Sequence, residues 1–175
     1  MDEKFGNWVA WLQKSKTQLA GAKFIYANFE RLIVQEKGDG KVEILAGCFD
    51  AVLLLLGYSV ENALKGVIVA EKGVIRTRTG RKVDIKKMFR SLNHDLVVYA
   101  EVASFKLTTK QAAMAKRLSN AINWTAKYPA ATEYAWYQQN DIKKMRQLIS
   151  SDFDLVGDIV AECDVLAYDN ASVPE

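Results

Sequence analysis

Apolar and aromatic side chains recur at steps of three and four along most of this chain, the spacing of a helix that buries one face. Over residues 4–36 the pattern runs through Trp8, Trp11, Leu12, Leu19, Ala22, Ile25, Tyr26, Phe29, Leu32 and Ile33, which predicts a first long helix. The polar stretch Glu36-Lys37-Gly38-Asp39-Gly40-Lys41 ends it. A second helix is predicted over about 43–71, closing at Lys72-Gly73. It is apolar nearly all round, as in Ala51-Val52-Leu53-Leu54-Leu55-Leu56, and a helix of that kind packs against several neighbours at once. Val74 to Lys82 leans towards β and turn, so a loop or short hairpin is expected there. From Asp84, a plausible N-cap, apolar positions recur at Ile85, Met88, Phe89, Leu92, Leu96, Tyr99, Ala100 and Ala103. Two readings fit: one helix over 84–104, or a short helix breaking near Ser91-Leu92-Asn93, with Asn93 capping the next. Thr108 or Thr109 caps a further helix to about Tyr128, where Pro129 ends it. The last helix begins at Asn140 or Asp141 and carries Ile142, Met145, Leu148, Phe153, Val156, Ile159 and Cys163. From Ala167 onward fraying is expected.

The sum is an all-α chain, an antiparallel up-and-down bundle of four to five long helices in one domain over residues 1–168, with a tail at 169–175. Composition agrees: only 2 prolines and 10 glycines interrupt 175 residues, too few turns for a β-sandwich. Met1-Asp2-Glu3-Lys4 opens no leader pattern, and no 18-residue uncharged apolar run occurs. A cytoplasmic chain without a membrane span is therefore expected. Cys48 and Cys163 are far apart in apolar stretches, so buried free thiols are expected rather than a disulfide framework.

Charge is segregated. Between Lys72 and Arg90 eight basic residues, among them Arg76, Arg78 and Arg81, face the single acid Asp84. Residues 150–175 hold seven carboxylates and neither lysine nor arginine. The basic segment is either the match of an acidic surface on this chain or its partner, or a cationic surface for phosphate.

Four features carry candidate chemistry. At 100° per residue, Asp50, Leu54, Gly57, Glu61 and Lys65 share an arc of about 80° on the otherwise apolar second helix. Glu61 and Lys65 can pair at i,i+4, and Gly57 would let a neighbour approach a polar groove. The stripe is either a set of interhelical salt bridges or such a groove. The single imidazole, His94, lies beside Asp95. If a helix begins here, His94 is in its first turn, where the dipole favours the neutral form and a general base for a ribose hydroxyl becomes available. Arg90, three intervening residues upstream, would share its face on a continuous helix. Trp124, Tyr128, Tyr134, Trp136 and Tyr137 crowd around Pro129, either as a hydrophobic lid or as a base-stacking surface. Asp154, Asp158 and Glu162 recur every four residues but lack a second ligand cluster, so a solvated face or the counterpart of the basic segment is expected. One histidine excludes sites needing two imidazoles, and no glycine-rich phosphate cradle occurs; no metal or cofactor is expected.

Tyr58-Ser59-Val60-Glu61-Asn62-Ala63-Leu64-Lys65, then Asn93-His94-Asp95-Leu96, then Ala126-Lys127-Tyr128-Pro129 follow the order seen in HEPN (higher eukaryotes and prokaryotes nucleotide-binding) domains, which the chain resembles over roughly 43–165, with residues 1–36 as an additional helix. The resemblance implies a helical bundle, usually dimeric, with a groove lined by the motif residues. It also implies RNA or nucleotide binding in toxin–antitoxin or defence settings, and a minimal nucleotidyltransferase as a possible partner. By that resemblance Glu61, Lys65, His94, Asp95, Lys127 and Tyr128 are site residues. In the nuclease branch four to six residues lie between the arginine and the histidine; here only three separate Arg90 from His94. Three functions follow: a binding module using Glu61, Lys65, Asp95, Trp124, Lys127, Tyr128, Arg76, Arg78 and Arg81; a metal-independent ribonuclease with His94 as base and Arg90 stabilising the phosphorane; or a non-catalytic dimerisation module joining the basic segment to an acidic surface.

Overall fold

The computed structural model describes residues 7–35, 41–72, 85–125 and 150–172. Among these there is no strand, and six helices account for the fold: α1 (Trp8–Gln35), α2 (Lys41–Lys72), α3 (Ile85–Ser91), α4 (Leu96–Val102), α5 (Thr109–Thr125) and α6 (Ser150–Ser172). The all-α expectation holds.

Helix starts are set by local side chains. Asn7 Oδ1 accepts the amide of Ala10, 3.2 Å away, and starts α1. Thr108 and Gln111 form a capping box at α5, with the Gln111 side chain accepting from the Thr108 amide at 2.9 Å. The segment after Asp84 takes the broken reading, two short helices joined by a turn at 92–94. Its cap is Asp95 rather than Asn93: Asp95 Oδ1 accepts from the amides of Val97 and Val98. At the other end of α4, Ser104 sits at φ 53° while Phe105 N–H reaches Ala100 C=O at 2.8 Å, a Schellman closure with serine where glycine is usual. Fraying from Ala167 does not occur, because α6 continues to Ser172 and Ala167 is fully buried.

The central helix is α2, packed against α1, α4, α5 and α6. The α1–α2 pair is antiparallel, since a Cβ on Gly66 would meet Leu12 and one on Gly21 would meet Leu55. Small residues bring the two backbones close. Ser15 and Ser59 are fully buried, and each hydroxyl donates to the other's carbonyl, at 2.7 and 2.9 Å. At Gly66 a Cβ would lie 2.9 Å from Leu12, so only glycine admits that approach. Helix α6 runs antiparallel to α1, as Lys16 pairs with Asp164 and Tyr26 packs on Phe153. The segment Gly47–Glu71 is long and apolar enough to cross a membrane, yet 78% of an 18-residue window within it is buried inside the bundle, which accounts for its apolarity.

Candidate functional site

A buried charged cluster forms where α2 meets the α3–α4 turn. Glu61 is 2% exposed. Its Oε1 accepts from Lys65 Nζ at 2.5 Å and its Oε2 lies 2.7 Å from His94 Nδ1. The ammonium in turn sits over three rings, 5.1 Å from the centres of Trp11 and Phe89 and 5.5 Å from that of Tyr99. A desolvated cation over aromatic faces gains about 2 kcal/mol or more where water is excluded. Helices α1, α3 and α4 each supply one wall of this cage. Tyr99 donates its hydroxyl to Phe89 C=O at 3.1 Å, tying α4 to α3. Burying a carboxylate and an ammonium is tolerated here because every charge has an opposite charge or a π-face beside it.

His94 is the cluster's exit to solvent: its side chain is 40% exposed, against 3% for Glu61 and 13% for Lys65. A carboxylate oxygen only accepts, so Nδ1 carries the hydrogen, and Nε2 has no hydrogen-bond partner among the described residues. The ring also meets Tyr58 edge-on at 6.3 Å. It gets there through a sharp turn in which Asn93 and His94 both take positive φ, 45° and 58°. Successive left-handed residues without glycine concentrate at functional sites, where strain holds a side chain in place. Asn123 Nδ2 steadies the turn by donating to Asn93 C=O at 3.1 Å. Burial, and then the nearby Glu61 charge, push the Tyr58 and Tyr99 phenols above their ordinary range. Burial does the same to the Cys163 thiol, a free cysteine like Cys48.

Glu61, Lys65 and His94 thus come together, although 33 residues separate the first from the last in the chain. The expected helical dipole on His94 is corrected: the residue precedes the cap of α4 and lies in no helix. The shared face with Arg90 is lost for the same reason, since α3 ends at Ser91, leaving Arg90 exposed. Asp95 spends one carboxylate oxygen on capping α4. The expected groove does not extend along α2, because a Cβ on Gly57 would lie 2.7 Å from Ile122 of α5, which fills that space. Trp124 lies in α5, and nothing of its side chain is described; Arg76, Arg78, Arg81, Lys127 and Tyr128 fall outside the described residues. Asp154, Asp158 and Glu162 are exposed on α6.

Two features escape sequence reasoning. Trp11, Phe89 and Tyr99 read as ordinary core positions, and only packing turns them into a cage. The second is a cleft of about 370 Å³ between the α3–α4 turn and α5, lined by Asn93, Asp95, Lys116, Asn120 and Asn123 over Leu92 and Val98. Asn123 Oδ1 is buried there without a hydrogen-bond partner, and a buried acceptor left so costs about 1–3 kcal/mol. Comparison with protein-family models, curated proteins and solved structures returns no match.

Proposed function

We propose that this chain is a HEPN-like helical domain that binds RNA or a nucleotide, as a dimer, through the surface around His94. One observation carries the reading: the motif residues Glu61, Lys65 and His94 meet in a single hydrogen-bonded cluster whose exposed end is an imidazole. The buried pair fixes the ring, and the free Nε2 edge can accept from a ribose hydroxyl or, protonated, donate to a phosphate. The basic 72–90 segment, eight cations against one acid, supplies the long-range attraction.

Counterion release gives the test. With about five phosphates engaged on a single strand, affinity falls about 100-fold between 50 and 200 mM salt. Fluorescence anisotropy with a labelled single-stranded RNA should show that slope, and Arg76, Arg78 and Arg81 changed together to Glu should flatten it. Absence of binding at low salt by the wild type refutes the proposal.

A ribonuclease reading is favoured by one specific feature, the carboxylate-held imidazole, which is the arrangement of a general base. It requires RNA cleavage that survives a chelator and is lost in His94→Ala. A wild type that leaves RNA intact eliminates it and leaves binding untouched.

A further inference from the structure

The cleft beside the α3–α4 turn has polar groups that the fold does not use. Asp95 Oδ1 accepts both capping hydrogen bonds, and the second carboxylate oxygen accepts none among the described residues. Asn123 Nδ2 must face Asn93 C=O, because the reversed amide would set two oxygens against each other; its Oδ1 therefore lacks a donor. The Asn120 amide and the Lys116 ammonium line the same cleft, again with no partner among the described residues. Leu92 and Val98 supply apolar surface beside them. Ser119, by contrast, is fully engaged: it accepts from Leu96 N–H and donates to Ala115 C=O.

The inventory open to a ligand is thus a carboxylate oxygen that wants donors, one amide offering both kinds, and one cation. A volume of about 370 Å³ falls within the range of small-molecule sites. A flat ring could lie on the leucine and valine while its polar edge meets the oxygens. The ring that matches must present adjacent N–H donors to a carboxylate and acceptors elsewhere. Guanine does so: its ring N–H and amino group lie side by side, and its O6 and N7 accept. Adenine sets a ring nitrogen lone pair beside its amino group, which would face the Asp95 carboxylate with like polarity.

We infer that this cleft is a guanine-recognition site, with Asp95 reading the donor edge, Asn120 completing the hydrogen bonds, and Lys116 meeting O6 or the 5′-phosphate. This deepens the nucleotide-binding reading and rests on it. The site differs from the Glu61–Lys65–His94 cluster, although both adjoin the 92–95 turn.

The experiment is a titration of the full chain at low salt with GMP, AMP and guanosine, and with single-stranded oligonucleotides that contain or lack one guanine. The expected result is GMP binding at least tenfold tighter than AMP, and tighter binding of the guanine-containing oligonucleotide. Asp95→Asn keeps an N-cap acceptor and therefore the fold. It should lower GMP affinity at least about fivefold and erase the preference over AMP. Lys116→Ala should weaken GMP and leave guanosine unchanged if the cation meets the phosphate, or weaken both if it meets O6. Unfolding midpoints matching the wild type establish that each variant is folded. Equal affinity for GMP and AMP overturns the inference, as does a preference that survives Asp95→Asn. Salt-dependent RNA binding without guanine preference removes the cleft and spares the RNA-binding reading; no binding of any probe removes both.

Discussion

Glu61 is the sharpest place to test how this bundle tolerates buried charge. Replacing it with glutamine keeps the volume and removes the negative charge that Lys65 Nζ and His94 Nδ1 both face, at 2.5 and 2.7 Å. Each of these is a hydrogen bond to a charged group, worth about 1.5–3 kcal/mol. The Lys65 ammonium, only 13% exposed, would keep its rings but lose its counter-charge. Removing one partner of a buried pair costs about 3–5 kcal/mol, and Glu61→Gln should fall in that range. At about 2–4 °C per kcal/mol for a domain of this size, the melting temperature drops by roughly 10 °C. Lys65→Met should cost a similar amount, because it leaves the carboxylate with His94 alone. Glu61→Leu combined with Lys65→Met buries no charge, so the double variant should lose much less than the two single losses added. Urea unfolding of wild type, Glu61→Leu, Lys65→Met and the double variant closes that cycle. Additive losses, or a Glu61→Gln loss below about 1 kcal/mol, would refute the buried-pair account.

Gly57→Ala would place a Cβ 2.7–2.8 Å from the Ile122 side chain and should destabilise by about 1–3 kcal/mol, and by less when Ile122 is already alanine; denaturant unfolding of the two single variants and the double variant measures both. Ser104→Gly relieves a positive φ of 53° and should raise stability by up to about 1 kcal/mol in a thermal melt. Tyr58 and Tyr99 have phenols raised above the ordinary 10 by burial and by Glu61, so their share of stability is complete below pH 10 and is lost as pH climbs through the raised native values. Ultraviolet titration should therefore show tyrosinate at these two positions appearing late and together with unfolding, and early ionisation of both in the folded chain would contradict it.

Much of this protein is legible in its pattern of residues, for a physical reason. Helical spacing is a local property: Glu61 and Lys65 stand one turn apart, so their pairing follows once α2 is a helix. The apolar circumference of α2 likewise announces a central position, since water would penalise any other. Even the break after Ser91 was one of two open readings, and Asp95, a better cap than its neighbours allowed one to see, settled the register of α4. Tertiary structure decided the rest because it concerns residues far apart in the chain. Gly57 meets Ile122 instead of a groove, and Trp11, Phe89 and Tyr99 enclose an ammonium from three helices. Two left-handed residues swing His94 back onto Glu61. Periodicity states which side of a helix is buried; the neighbour that buries it, and the charge it brings, come only from packing.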